Sequence, residues 1–129
     1  MTTDNNISCP FCILESAREV FIENESAFAI FDKFPVSNGH LLIIPKLHCC
    51  SYFDLDIKIQ ISCWDLVNQG KLLLEKKYSP EGFNIGVNIN EAAGQTVPHV
   101  HIHLIPRYAG DVSNPKGGVR GVIPAKKEY

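Results

Sequence analysis

The chain has 129 residues, of which 45% are hydrophobic and 20% charged, and its net charge is −2. This length suits one domain, no apolar run approaches the ~18 residues of a membrane span, and the charge argues against a broad surface for a nucleic acid polymer, which needs clustered Lys and Arg. The polar start MTTDNNIS lacks the order of a secretory signal, so we expect a cytoplasmic protein. Five cysteines, an odd number, fit reduced thiols or metal ligands better than a disulfide framework.

The first half of the chain predicts three short strands. Residues 19–23 and 27–31 flank Asn24 and Glu25 in a hairpin-like arrangement. After a turn, the apolar run at 40–45 is short enough to be a buried strand.

The second half predicts a helix and two more strands. Residues 54–61 alternate polar and apolar, as in a strand, but the positions from Trp64 onward suit a helix. We therefore predict one helix from about 56 to 78, capped by Asp54, and strands at 83–88 and 99–106. The order βββαββ predicts an α+β fold: an antiparallel sheet of about five strands with one main helix on one face. On the helix, we expect Trp64, Leu73 and Leu74 to lie in the core.

Three histidines occupy alternate positions in the run PHVHIHLIPRY at 98–108: His99, His101 and His103. On a strand, alternate side chains share one face. Three readings follow: a metal site, a nucleophile with two helpers, or a polar strand surface. Directly before this run, the small residues of Gly94-Gln95-Thr96 allow backbone N–H groups to approach an anion closely, although the same glycine would also serve a simple turn.

Two features near the ends of the chain carry further chemistry. Cys9 and Cys12 have the spacing that lets both sulfurs reach one tetrahedral zinc, which needs two more ligands. A redox pair and two ordinary thiols are the competing interpretations. The tail contains basic residues that could meet a few phosphates of a small ligand or form a solvated surface: Lys116, Arg120, Lys126 and Lys127.

The alternating HVHIHLI pattern resembles the motif that names the histidine triad family of nucleotide hydrolases and transferases. GHLLIIPKLH at 39–48, GQTVPHVHIH at 94–103 and IPRYAGD at 105–111 also look like family segments, in family order. The last of them resembles the fragile-histidine-triad branch and related bacterial proteins. The resemblance implies one domain of this family over 1–129, with an N-terminal segment at 1–15 and a basic tail at 107–129.

The resemblance also implies roles for individual residues. His101 would attack the α-phosphorus of a nucleotide, and a nucleotidyl-histidine intermediate would form and be hydrolysed. His103 and the backbone around Gln95 and Thr96 would contact phosphate oxygens, and Asn88 would orient the ribose side or the leaving group. Asp32 and His40 match positions near the bound nucleoside. Some members bind a structural zinc through residues that correspond here to Cys9, Cys12, His48 and His99, so that His99 would serve the metal beside the catalytic pair.

These implications favour a hydrolase that cleaves dinucleoside polyphosphates, such as diadenosine tri- or tetraphosphate, and needs no organic cofactor. Hydrolysis of a nucleoside phosphoramidate or an adenylate is the alternative within the same chemistry. A zinc-stabilised nucleotide-binding module with little turnover and a catalytic three-histidine zinc site remain open. Family members are usually homodimers, so we expect a homodimer with a small-molecule nucleotide substrate and no membrane partner.

Overall fold

The computed structural model describes residues 9–12 and 20–129, and the remaining positions of the predicted N-terminal segment and residue 19 of the first predicted strand lie outside this range. Five strands and one long helix follow one another in the predicted order βββαββ. Their bounds are β1 Ile22–Glu23, β2 Ala27–Phe31, β3 Leu41–Pro45, α1 Ile57–Tyr78, β4 Gly82–Val87 and β5 Ile102–Arg107. No helix in this part of the chain is both long and apolar enough to cross a membrane.

All strand pairs are antiparallel, and the sheet order is β1-β2-β3-β5-β4. The predicted α+β fold with one main helix is therefore confirmed. Both faces of the sheet bury apolar side chains, but only one of them is covered by α1. Alternate positions of each strand supply the two faces.

The core beneath α1 combines alternate strand residues with one stripe of the helix. Its buried members are Ala27, Ala29, Leu41, Ile43, Cys63, Leu66, Val67, Leu74, Ile102 and Leu104. The helical members recur at intervals of three or four residues, as a buried helix face requires. At Gly70, a β-carbon would come within 3.1 Å of Leu41 Cδ1, so the small residue lets the helix lie close to the sheet.

The predicted helix is correct in extent but not in its cap or in all of its core positions. Asp54 ends a separate 3₁₀ turn at Tyr52–Asp54, and Asp56 occupies the position before the helix without a side-chain capping bond. Trp64 and Leu73 are 37% and 38% exposed, whereas Leu74 is fully buried. Trp64 and Leu73 lie beside the buried stripe rather than on it.

The opposite face of the sheet carries a second apolar cluster. Here the N-terminal residues pack on β2 and β3, and the buried members are Cys9, Phe11, Cys12, Phe28, Ile30, Leu42 and Ile44. The same face receives His103, because its register partners are Leu42 on β3 and Gly86 on β4. The histidines thus lie on the side of the sheet away from α1.

Candidate functional site

The histidine run begins before the strand that was predicted to contain all of it. β5 starts at Ile102, and the His99 N–H donates to the carbonyl of Val97 at 2.8 Å, so the chain turns at this point instead of pairing with β3. His101 and His103 still share a side of the sheet, with ring centroids 5.1 Å apart. Phe11 touches the rings of both His99 and His101. The shared face was predicted correctly, but the extent of the strand was not.

Cys9, Cys12, His48 and His99 form a buried cluster whose donor atoms all lie within 4.8 Å of one another. The two Nδ1 atoms are 3.2 Å apart, and Cys12 Sγ lies 3.1 Å from His48 Nδ1 and 3.4 Å from His99 Nδ1. Around tetrahedral zinc, bond lengths of about 2.0 to 2.3 Å place neighbouring N and S donors roughly 3.3 to 3.8 Å apart. The three distances lie at or slightly below this range, and the four donors are therefore close enough together to share one metal ion.

The other nitrogen of His99 supports the same interpretation. His99 Nε2 lies 2.8 Å from the backbone oxygen of Pro45, so the Nε2–H donates to that carbonyl and Nδ1 keeps its lone pair for a metal. Burial lowers the pKa of His99 to about 4, with the neighbouring histidines contributing in the same direction. A neutral ring with an unprotonated Nδ1 is the form that binds a metal.

A single backbone bond sets the tautomer of His101. Its Nδ1 lies 2.9 Å from the carbonyl oxygen of His99, which can only accept, so Nδ1 carries the proton. In the neutral ring, Nε2 then holds the lone pair. His101 is 7% exposed and lines a cavity, so this nitrogen has the electronic form of a nucleophile beside an accessible space.

A second chain of hydrogen bonds sets the tautomer of His103. The Val36 N–H donates to His40 Nδ1 at 3.1 Å, so the proton of His40 is on Nε2. That Nε2 lies 3.0 Å from His103 Nδ1 and 3.4 Å from the carboxylate of Asp32. His103 Nδ1 is therefore the acceptor, and His103 Nε2–H becomes a donor. Burial lowers the pKa of both rings, that of His103 to about 4, although Asp32 opposes the shift in each.

A cavity of about 520 Å³, which we call the triad cavity, lies between Phe11, β2, His101 and His103. Asp32, Thr96, His101 and His103 all line it, together with apolar walls from Phe11, Ile30, Phe34 and Leu42. Four predicted residues therefore meet at one space. A mostly apolar pocket with a few polar groups at one end is typical of a site for a small ligand with a flat apolar part.

The loop before His99 is held by the side chain of Gln95. Its amide donates to the carbonyls of Cys50 and Val97 at 2.8 and 3.0 Å, and its Oε1 accepts from the Asn90 N–H at 2.8 Å. Gln95 thus braces the loop through its side chain and also through its backbone N–H, which donates to the Asn90 carbonyl at 3.2 Å. Gly94 has φ +96°, a conformation that glycine adopts without strain.

Asn88 lies on the other side of His103, in a second cavity of about 450 Å³ between β4, β5 and the C-terminal tail. Asn84, Gly86 and His103 also line this tail cavity. Neither Asn84 nor Gly86 was predicted from the sequence as a site residue. The alternation within FNIGVN could have indicated them, because residues 84, 86 and 88 share the face of His103.

The basic residues of the tail mostly bind the tail itself. Arg120 donates to the carbonyls of Lys126 and Lys127 and stacks over Tyr129, with 4.6 Å from Cζ to the ring centroid. The Lys127 ammonium donates to the Asn114 carbonyl at 2.6 Å. The charges of Arg120 and Lys127 are therefore engaged within the tail rather than directed toward a ligand.

Two groups of histidine, cysteine and acidic residues in the described part of the chain could hold a metal. One is the Cys9–His99 cluster, and the other consists of Asp32, His40 and His103. Neither contains His101. The hypothesis of a zinc site made by the three alternating histidines therefore finds no support among the described residues.

Comparison with known proteins gives the chain its family. The HIT domain family model matches residues 14–110. An uncharacterized 16.1 kDa HIT-like protein of Mycoplasma pneumoniae is 41% identical over 80% of this chain and 74% of its own length. A bis(5'-adenosyl)-triphosphatase of Dictyostelium discoideum is 33% identical over 81% of this chain and 69% of its own. The crystal structure of a zinc-bound histidine triad protein from Mycobacterium smegmatis superposes with a TM-score of 0.76 at 30% identity, covering 84% and 81% of the two chains. The chain belongs to the HIT family.

Proposed function

We propose that this protein is a nucleotidyl hydrolase that cleaves dinucleoside polyphosphates at the α-phosphorus through a covalent nucleotidyl-histidine. The observation that carries the proposal is the tautomer of His101, whose Nδ1–H donates to the His99 carbonyl and whose Nε2 keeps its lone pair beside the triad cavity. The relative from Dictyostelium discoideum is named for the hydrolysis of such a dinucleotide.

In the first step, the lone pair of His101 Nε2 attacks the α-phosphorus. An N–P bond forms, the bond from phosphorus to the bridging oxygen breaks, and the leaving phosphate departs with the electron pair. The ring becomes positively charged, and its Nδ1–H bond to the His99 carbonyl stabilises that charge. In the second step, water attacks the same phosphorus, the N–P bond breaks, and a nucleoside monophosphate and one proton are released.

The residues around His101 would supply binding and charge stabilisation. The His103 Nε2–H and the backbone near Thr96 would donate to the phosphate oxygens, on which negative charge develops. Asp32 would accept hydrogen bonds from the ribose hydroxyls. His40 would act as a positioning residue, because it touches His103 and Asp32 rather than the reacting atoms.

We further propose that Cys9, Cys12, His48 and His99 hold a structural zinc. All four side chains are buried, and among them they supply two sulfur and two nitrogen donors, a set typical of closed structural sites. When bound, zinc would supply rigidity, since it would tie the N-terminal residues to the segment that carries His101.

The edge of the sheet is the basis for proposing a homodimer. Among the described strands, β4 has a partner on one side only, and Ile85 at its centre is 40% exposed. α1 also exposes the apolar side chains of Ile57, Ile61 and Trp64. A second copy pairing along β4 would cover an open strand edge and apolar surface together. Light scattering after size exclusion should give about twice the chain mass, and a strict monomer would contradict this proposal.

The function is tested by a turnover panel on the parent and on His101→Ala. The parent should release AMP from diadenosine tri- or tetraphosphate, and the variant should be inactive while it still binds AMP. Because a nucleotidyl-histidine is labile in acid, an alkaline quench followed by mass spectrometry should find one nucleotide on the parent during turnover. Full activity in His101→Ala would refute the assignment of the nucleophile.

The same panel separates the alternatives. Faster cleavage of an adenosine phosphoramidate or an adenylate than of the dinucleotides would favour the alternative hydrolase. Tight AMP binding without turnover of any substrate would favour a binding module.

A further inference from the structure

Building on the proposed function, we propose that the tail cavity is the binding subsite for the leaving nucleoside of a dinucleoside polyphosphate, and that Gly86 is the residue that keeps this subsite open. The substrate would then lie across His103, with one nucleoside in each cavity. Its specificity would differ from that of an enzyme that recognises only the adenylate half.

The first support is the place of His103. It lines both the triad cavity and the tail cavity, so it lies between the two spaces. The volumes are similar, about 520 and 450 Å³. Two spaces of like size on either side of a phosphate-binding imidazole match a molecule with two like ends joined by phosphates.

The second support is the absence of a side chain at Gly86. Gly86 pairs with His103 across the β4–β5 ladder, so a side chain here would project from the same face as the imidazole. A β-carbon at this position would meet nothing within 4 Å, and the backbone has no positive φ that would require glycine. Glycine weakens a strand interior, so its presence at the last position but one of β4 needs another reason, and an open cavity supplies one.

The third support is a fixed polar group. Asn84 Oδ1 accepts from Arg107 Nη1 at 2.7 Å, and Arg107 is held in turn by two bonds to the Asp111 carboxylate at 2.8 and 2.9 Å. Because the oxygen of Asn84 is occupied, its amide nitrogen points the other way, toward Gly118 of the tail. A preset N–H donor suits a phosphate or ribose oxygen.

The fourth support is the apolar wall that the tail supplies. Val119 and Val122 line the tail cavity together with Ile105, and they are 61% and 76% exposed. A purine ring is flat and apolar on both faces, so it would cover these side chains while its ribose and phosphates reached Asn84 and His103. A second copy of the chain is the competing occupant, and the experiment below separates it from a nucleoside.

Binding, rather than turnover, is the test, so that its failure differs from a failure of the proposed function. Two ligands are titrated by calorimetry: α,β-methylene ATP, and a diadenosine tetraphosphate analogue in which methylene groups replace both α,β-bridging oxygens. They share one nucleoside and its phosphates, so their affinity ratio isolates the second nucleoside. The proteins are the parent, Gly86→Leu and the control Gly82→Leu, which adds the same side chain to the same face of β4 outside the tail cavity. Gly86→Val, a smaller addition suited to a strand, replaces Gly86→Leu if the latter does not fold.

The parent should bind the dinucleotide analogue at least tenfold more tightly than α,β-methylene ATP, and Gly82→Leu should keep this ratio. Gly86→Leu should bring the ratio to within twofold of one. A parent ratio near one, or an undiminished ratio in Gly86→Leu, would overturn the proposal. So would a Gly86→Leu protein whose mass by light scattering changes while its ratio does not, because the cavity would then serve a second copy. A parent that binds the analogue tightly but turns over no dinucleotide would refute the proposed function alone.

Discussion

Replacing His40 with leucine tests whether a relay of hydrogen bonds prepares His103. In the parent, the Val36 N–H fixes the proton of His40 on Nε2, which lies 3.0 Å from His103 Nδ1. His40 is 3% exposed, and leucine fills much of the same volume without a donor. His40→Leu therefore removes the relay and leaves the apolar packing largely in place.

The expected magnitude follows from the partners that are left behind. Val36 is 72% exposed, so water can replace the lost partner of its N–H, and most of the cost falls on His103. That ring loses one hydrogen bond of about 1 kcal/mol and becomes free to place its proton on Nδ1, the wrong nitrogen for donation to a phosphate. Together these effects should cost about 2 kcal/mol of transition-state stabilisation, or roughly 30-fold in kcat/KM.

The assay is steady-state hydrolysis of diadenosine tetraphosphate by the parent, His40→Leu and His40→Gln. The glutamine amide can take the place of the imidazole Nε2–H, so this variant should stay within about fivefold of the parent. Nitrogen-15 shifts should show the Nε2–H tautomer of His103 in the parent and in His40→Gln, but a mixture in His40→Leu. A leucine variant within threefold of the parent, with its tautomer unchanged, would refute the relay.

Three further predictions concern metal binding by the Cys9–His99 cluster and the free energy of unfolding. The parent should contain about one zinc per chain by atomic emission, Cys12→Ser should lose it, and Cys50→Ser, at an exposed position, should keep it. Free zinc at about 100 times its Kd should raise the free energy of unfolding of the parent by about 3 kcal/mol. A chelator that leaves the melting temperature unchanged would argue against a bound ion. The pKa of His103 is lower in the folded protein, at about 4, than in the unfolded chain, so the folded protein binds fewer protons between pH about 6.5 and 4 and its free energy of unfolding should fall as the pH drops through this window. The full shift corresponds to about 3 kcal/mol, which partial exposure reduces to about 1 to 2, and urea titrations at pH 7 and pH 4.5 should show a smaller acid loss for His103→Gln than for the parent. Gly39→Ala should lower the free energy of unfolding by about 2 kcal/mol, because φ is +90° and the new β-carbon would lie 2.9 Å from an aromatic carbon of Tyr78. The control Gly82→Ala should change this free energy by less than about 0.5 kcal/mol. Equal effects of the two substitutions would contradict the strain argument.

The sequence predicted features that depend on local periodicity better than features that depend on the meeting of distant segments. The helix at Ile57–Tyr78 follows from apolar residues every three or four positions, and the shared face of His101 and His103 follows from strand alternation. The start of β5 could not be predicted in this way. It depends on a turn between Val97 and His99, which Gln95 braces by donating both to Val97 and to Cys50, a residue distant in the chain.

The Cys9–His99 cluster and the tail also depend on contacts that local sequence patterns do not reveal. The cysteine spacing predicted a pair of ligands, but only the resemblance supplied His48 and His99, since no local pattern joins positions 9 and 99. The basic residues of the tail had the right charge for phosphate, yet Arg120 and Lys127 bind carbonyls of the tail. Net charge in a sequence does not reveal which partners a folded segment provides for itself.

His99 links the Cys9–His99 cluster to His101, because its side chain belongs to the cluster and its backbone carbonyl contacts His101. Its ring belongs to the buried cluster, with Nε2 fixed by the Pro45 carbonyl, while its own carbonyl accepts the Nδ1–H of His101. The orientation of that carbonyl depends on the position of His99, and the position of His99 depends on the cluster. Loss of the cluster should therefore act on the tautomer and aim of His101 without changing any residue that touches a nucleotide. Under the proposed function, the alternating run of histidines would separate into a structural ring, a nucleophile and a phosphate donor, since each ring has a different partner for one of its nitrogens.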